Sequence, residues 1–546
     1  MKLKAQNSSQ KLRGGYYTPR ELTDFIIRWA FQDGPKKNIL EPSCGDGAFL
    51  EGLTEIEDVE FDQCTAIEII EEEAEKAKQK VLKGNHHINI INNDFFSEFT
   101  DNLQFNEYDL IIGNPPYIRY QYLTPEQRDT QSDILVRNGM KSNKLINAWV
   151  SFVVASVQLL SSNGKIGLII PAELLQVAYA ADLRQFLENT LSKITVITFK
   201  ELVFPDVQQE VVLLLGEKGD DINLENKISL IDVTNLQSLN EEIMGQPVEY
   251  KEVDHSKDKW TKYFLSNHEI EAINSVISDS RFNKFEEIAD VDIGITTGNN
   301  KYFSVKKEVV QEYGLEEVII PLIGRSAHAK GIYFNHEDWL ANVNANLPAQ
   351  LVYFPNESSD NFSEGHKEYI KWGEEVGHNN GYKLGLRKYW YHIPSVWQPD
   401  AFILRRNDLY PKFVINKINA VSTDTMHRVR FNEGLNHQKI LLSYYNSITL
   451  AFTEIEGRSY GGGVLEILPG EVEKIMLPNL QNIDDNLAKK LLEHIDDCIR
   501  NNTDFEQVLD LVDREVLVKY LALEEEFVSS FRVIWKKLMK RRRERK

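Results

Sequence analysis

Residues 38–50 read NILEPSCGDGAFL, an apolar run that leads straight into an acid, a proline and two glycines one residue apart. The run reads as a buried strand, and the segment after it as a ligand loop. Glycines at 45 and 47 let backbone approach a ligand where a side chain would block it. The loop lacks the third glycine of the dinucleotide fingerprint. Glu41, at its entrance, would repel a pyrophosphate but suits a cationic sulfonium or ammonium.

Outward from this loop, from about residue 36 to 218, strand and helix patterns alternate. Apolar runs at 38–40, 65–69, 88–91, 108–112, 165–170, 194–199 and 211–215 read as buried strands. Amphipathic stretches such as EEEAEKAKQKVL and NAWVSFVVASVQLL separate several of them. The expected fold class is α/β, a mostly parallel, Rossmann-like seven-stranded sheet wrapped by helices, with ligands outside the carboxyl ends of the strands. The alternation stops at GEKGDDINLENK, from residue 216. Three segments are expected: 1–240, the ligand-binding α/β domain; 245–480, a mixed α+β domain; and 482–546, helical with a basic tail.

The residues just after each strand carry the chemistry. The second strand ends at Glu68, whose carboxylate can accept from two ribose hydroxyls. The third ends at Asp94 and Phe95, an acid for an adenine amino group and a ring to stack on it. Three acids at three consecutive strand ends fit a nucleoside with a methionine-like tail.

The fourth strand runs into Asn114-Pro115-Pro116-Tyr117. Two prolines remove two N–H donors. An acceptor array remains, the Asn114 side-chain oxygen and the Pro115 carbonyl, with the flat face of Tyr117 beside it. Such an array holds an NH2 group by both hydrogens and localises its lone pair toward an electrophile. In this reading Tyr117 needs only its ring, and phenylalanine would serve as well.

At these motifs the chain resembles the gamma-class N6-adenine DNA methyltransferases of type II restriction–modification systems. Gly15-Tyr16-Tyr17-Thr18-Pro19 resembles the family's N-terminal cofactor motif, and EPSCGDGAFL its glycine loop. The resemblance implies a class I S-adenosylmethionine-dependent methyltransferase fold followed by a target-recognition domain. It implies that Thr18, Glu41, Ser43, Gly45, Gly47, Glu68, Asp94 and Phe95 hold S-adenosylmethionine. Asn114, Pro115 and Tyr117 would act on the adenine. LVFP at 202–205 resembles the segment whose Phe204 packs on the flipped base opposite Tyr117. The implied partner is double-stranded DNA, and a separate cognate restriction endonuclease is expected.

Bulk properties bound the reading. The 546 residues predict two or three domains, and 42% hydrophobic with 27% charged residues is ordinary globular composition. No apolar run is long enough for a membrane span, and the start MKLKAQNSSQ has no signal-like core. Three cysteines form no disulfide framework or metal spacing, so a cytoplasmic, metal-free protein is expected; a monomer is expected as well. The net charge of −21 argues against nucleic acid, but its distribution is uneven. Residues 381–430 hold nine Lys/Arg against three Asp/Glu, and the last eleven residues hold eight against one. Lys383, Arg387, Lys388, Arg405 and Arg406 are the expected DNA contacts.

Three other readings compete. A protein-glutamine N5-methyltransferase presents a similar tetrapeptide, but on a shorter chain without the large second domain. An RNA-base amino-methyltransferase is another possibility. A non-catalytic DNA-binding relative would not need the intact acid–glycine loop and tetrapeptide. Cytosine-5 chemistry would need a Pro-Cys nucleophile, which is absent.

Overall fold

The structure, a computed structural model, describes residues 17–81, 87–142, 145–204, 210–219, 226–243, 245–255, 257–460 and 462–545. Gly15, Tyr16, Pro205 and Asp206 lie outside the described residues. The chain divides into two units, Met1–Asn267 with Arg545–Lys546, and His268–Glu544. The division therefore falls near 267, not at 240–245.

The first unit is built on one sheet. Its strands are β1 (Lys36–Glu41), β2 (Phe61–Ile67), β3 (Ile88–Ile91), β4 (Tyr108–Gly113), β5 (Leu160–Pro171), β6 (Lys193–Phe199), β7 (Val211–Glu217), β8 (Lys227–Val233) and β9 (Lys251–Glu252). The order across the sheet is β3-β2-β1-β4-β5-β7-β6-β8-β9. Strands β3 to β5 run parallel, and β7 is antiparallel to both β5 and β6. The seven expected strands are all present. The sheet is wider than expected, because β8 pairs parallel with β6 and β9 closes on β8. The KISLIDV run that forms β8 comes after the polar segment at which the alternation was expected to stop.

Helices flank the strands: α1 (Arg20–Ala30), α2 (Ala48–Glu55), α3 (Glu71–Val81), α4 (Phe95–Asp101), α5 (Pro125–Arg137), α6 (Ala148–Gln158) and α7 (Ala181–Thr190). In α1, Leu22, Phe25, Ile26, Ile27 and Ala30 are buried at helical spacing. Gly52 lets α2 pack close to this face, since a Cβ there would meet Ile27 Cδ1 at 2.7 Å. In α6 every residue from Ala148 to Val157 is buried. Its apolar residues surround it, so it is a core helix and carries no amphipathic stripe.

The second unit holds several small sheets. The largest orders Ala289–Ile293, Met426–Phe431, Ala401–Leu404, Phe413–Asn416 and Tyr333–Phe334. An aromatic core surrounds Tyr302, Phe303 and Tyr369, with Tyr302 and Tyr369 stacked at 4.7 Å. The helices after residue 482 belong to this unit and form no separate segment. The helical stretch is interrupted: Phe505–Val512 continues as a π-helix over Asp513–Tyr520, and Ala522 at φ 54° breaks it before Glu525–Glu544. Buried Asp513 accepts from the Ser447 backbone N–H at 2.9 Å and from Arg532 at 2.7 Å. In the last helix Arg542 is buried and donates to both oxygens of Glu454, at 3.0 and 2.7 Å. Part of the basic tail is thus spent inside the unit.

Candidate active site

Four polar side chains sit at or just beyond the carboxyl ends of β3, β2, β1 and β4, which are neighbours in the sheet. In that order they are Asp94, Glu68, Glu41 and Asn114. At roughly 4.8 Å between strands, the row spans about 15 Å. All four border a single cavity of about 650 Å³. Thr18, Ser43, Gly45 and Phe95 border it too.

Glu41 is 1% exposed, and its Oε2 has no hydrogen-bond partner among the described residues. Burial, then the nearby Glu68 and Asp46 charges, push its carboxyl well above the ordinary range. A buried acid with an open oxygen on a cavity is a site for a cation. The cationic tail of S-adenosylmethionine fits it.

Glu68 is also buried. Its Oε2 accepts from the Gly45 N–H at 2.9 Å and its Oε1 from the Ile70 N–H at 2.8 Å. Burial raises its pKa, and those two N–H bonds oppose the rise. Each carboxylate oxygen keeps lone-pair capacity beyond one N–H bond. Glu68 therefore shapes the glycine loop and can still accept from ribose hydroxyls.

Asp94 caps α4, accepting from the Ser97 N–H at 3.0 Å through Oδ1. Capping and ligand binding are compatible, because Oδ2 takes no part in the cap. Phe95 is 2% exposed and stacks on Phe152 of α6, with ring centroids 5.0 Å apart and planes at 16°. Phe152 borders the cavity and was not singled out in the sequence, since nothing in the all-apolar α6 marks one ring over its neighbours. Ile69 was missed too. It is 58% exposed at the cavity, an apolar face beside Glu68 for a flat ring.

The two loop glycines have different duties. Gly45 (φ 54°) has open space where a Cβ would be, and it borders the cavity. Gly47 (φ 86°) precedes α2 and does not border the cavity. A Cβ on it would come within 2.9 Å of the Ala77 backbone in α3. Gly47 thus carries a helix-packing requirement besides the ligand approach expected of it.

Around Asn114 the structure revises the expectation. The Asn114 Nδ2 donates to Thr18 Oγ1 at 3.2 Å, and the Ser43 hydroxyl donates to the Asn114 carbonyl at 3.4 Å. The Tyr117 hydroxyl donates to Asn114 Oδ1 at 2.8 Å and also lies 3.0 Å from the Ile169 carbonyl. Its hydroxyl is therefore engaged, against the expectation that only the ring matters. Pro115 is buried, and neither it, Tyr117 nor Phe204 borders the cavity. Phe204 is 8% exposed, inside the apolar cluster against which Tyr117 packs.

In the second unit the five expected DNA contacts separate. Lys383 and Lys388 are exposed, near Tyr382, which is 84% exposed. Arg387 instead donates to the carbonyls of Thr297 (2.7 Å) and Thr296 (3.3 Å). Burial lowers its pKa. Arg405 and Arg406 both donate to Oε1 of buried Glu466, at 3.0 and 3.3 Å. Arg387 and Arg405 thus brace the fold, whereas the Arg406 side chain stays 65% exposed.

The sheet order and the row of strand-end ligands define a class I methyltransferase fold with a second domain. Sequence comparison narrows the class. The family described as Eco57I restriction-modification methylase matches residues 50–204, and the C-terminal domain of type II methyltransferase M.Eco57I matches residues 257–517. Type II methyltransferase M.AccI of Acinetobacter calcoaceticus is 24% identical over 92% of this chain and 93% of its own length. M.HindII of Haemophilus influenzae is 25% identical over 63% of this chain and 65% of its own. The solved type IIL restriction-modification enzyme MmeI, in complex with DNA, superposes with a TM-score of 0.54 at 12% identity, over 96% of this chain and 75% of that one. The chain is a DNA methyltransferase of the restriction–modification type.

Proposed function

We propose that this protein is a gamma-class enzyme that moves a methyl group from S-adenosylmethionine to N6 of an adenine flipped out of duplex DNA, protecting that DNA from a cognate nuclease. The observation that carries the reading is the ordered row Asp94, Glu68, Glu41, Asn114 along four adjacent strand ends. The order matches adenine ring, ribose, methionine tail and acceptor amine in one line. Asp94, with Phe95, Phe152 and Ile69, would hold the adenine; Glu68 the ribose; Glu41 the cationic end, with Thr18 and Ser43 beside it. S-adenosylmethionine bound there supplies an electrophilic methyl group on a sulfonium.

On the acceptor side, Asn114 Oδ1 and the Pro115 carbonyl take the two N6 hydrogens. An exocyclic amine conjugated to its ring is a weak nucleophile, and two fixed acceptors favour the geometry in which its lone pair is available. Tyr117 and Phe204, which share a cluster, are the rings available to stack on the base. Sequence reading belongs to the second unit, with Lys383 and Lys388 as phosphate contacts.

The test is product identity. Purified protein, cofactor with a tritiated methyl group and mixed-sequence duplex DNA are incubated, and the DNA is digested to nucleosides. The label is expected in N6-methyl-2′-deoxyadenosine. Label in N4-methyl-2′-deoxycytidine, or, in parallel incubations supplied with RNA and cell extract, label in RNA or in a protein glutamine with none in DNA, would overturn the substrate assignment.

A further inference from the structure

We propose that Tyr382 and Leu386 form an apolar wedge that enters the base stack of duplex DNA, with the Tyr382 ring lying on a base face. The proposal rests on the reading of duplex DNA as the substrate.

Residues 381–388 read GYKLGLRK, and the structure sorts them onto two sides. Leu384 and Arg387, three apart, lie on the inner side. Tyr382 and Leu386, four apart, share the outer side of the short helix Tyr382–Gly385 and its C-cap. Leu384 is buried in the aromatic core of the second unit. Arg387 donates to the Thr297 carbonyl at 2.7 Å and the Thr296 carbonyl at 3.3 Å, and its guanidinium lies 5.6 Å from the centre of the Phe303 ring. Gly298 (φ 83°) lets the loop that carries these two carbonyls close on the turn, because a Cβ there would come within 3.1 Å of Leu384 and 3.4 Å of Arg387. The turn is held from behind, and what it holds out is apolar. Tyr382 is 84% exposed, the most of any large apolar side chain among the described residues, and Leu386 is 71% exposed.

A single apolar side chain on a surface needs no explanation, but a pair on a braced turn marks a contact. The charges around the pair say what covers it. Lys383 and Lys388 are exposed, and neither is paired with a carboxylate among the described residues, although the chain carries a net charge of −21. A cationic rim around an apolar tip suits a polyanion with an apolar interior. Duplex DNA is such a partner: its phosphates flank stacked base faces. Lysines that meet phosphates on either side of the tip direct the tip at the bases. Apolar side chains that enter in this way unstack a base step and bend the duplex. The tyrosine ring adds a flat face for stacking.

The test uses the full-length protein, S-adenosylhomocysteine and a duplex carrying its methylation site. Affinity is titrated at several salt concentrations, and 2-aminopurine placed in turn at each position of the site reports local unstacking. Wild type is expected to change the fluorescence at one base step besides the target adenine. Tyr382→Ala is expected to lose that change and to bind about tenfold more weakly. The slope of log affinity against log salt should stay as in wild type, because no phosphate contact is removed. Tyr382→Phe should keep the fluorescence change and bind within about twofold of wild type, since the ring face remains. Leu386→Ala should reduce the change at the same step. Wild-type affinity in Tyr382→Ala, an equal loss in Tyr382→Phe, or a binding loss with the fluorescence change intact would each overturn the proposal; the first would leave the patch to a protein partner. Failure of the substrate reading is separate, because it shows as wild-type protein that labels no duplex DNA.

Discussion

Glu68 and Glu41 are both buried acids on one cavity, yet their partners differ. Glu68 is held by two backbone N–H groups, whereas Glu41 Oε2 has no partner among the described residues. That difference predicts a separable effect on ligands. Glu68→Ala removes a ribose acceptor and frees the Gly45 N–H, a loss of roughly 1–3 kcal/mol. It should weaken S-adenosylmethionine and adenosine alike, by about tenfold or more. Glu41→Gln keeps the shape and removes only the charge, so it should weaken S-adenosylmethionine while leaving adenosine nearly unchanged. Calorimetry with both ligands checks this; equal losses for adenosine in the two variants would contradict the assignment. The acids were legible in the sequence because each directly follows a strand, and strand ends converge in a parallel sheet. The hydroxyl contact of Tyr117 was not, because ring and hydroxyl roles look identical in a one-letter string. Phe152 was hidden for a related reason: a helix buried all round has no face that marks the cavity.

At the scale of elements, the glycine loop is where strand, turn and helix packing meet. Both glycines have positive φ, which costs a residue with a Cβ about 1–2 kcal/mol. Gly47 carries a further demand, since its Cβ would press on the Ala77 backbone in α3, an overpacking worth about 1–3 kcal/mol. Gly45 meets no such neighbour and faces the cavity. Gly47→Ala should therefore lower the urea midpoint more than Gly45→Ala, and Gly45→Ala should cost proportionally more in cofactor affinity. A larger stability loss at Gly45 would contradict this division. The motif GDG was readable as a ligand loop, but the sequence held no sign that its second glycine answers to a helix thirty residues away.

Across the whole molecule, the charge pattern shows both what a sequence reveals and what it hides. The basic stretch at 381–430 stands out in an acidic chain. Which of its charges are available depends on partners distant in sequence: Glu466 lies sixty residues beyond Arg406 and draws in Arg405, while the Arg406 side chain, though paired with the same carboxylate, stays exposed. Replacing Lys383 and Lys388 with alanine should weaken DNA binding and flatten its salt dependence, by about one unit of slope for each phosphate that no longer meets a cation. Arg405→Ala should mainly lower stability, because it strips a partner from buried Glu466. Fluorescence titrations at several salt concentrations, with unfolding curves beside them, separate the two effects. An unchanged salt slope in the double lysine variant would remove those residues from the interface.

The central claim is that Asn114, at the end of β4, holds the amine that receives the methyl group. Single-turnover transfer by Asn114→Ala, on duplex DNA with tritiated cofactor, tests it most directly. The account predicts a rate about 10²–10³ below wild type, with cofactor affinity changed far less and label still confined to N6 of adenine. Transfer by Asn114→Ala at the wild-type rate would contradict it.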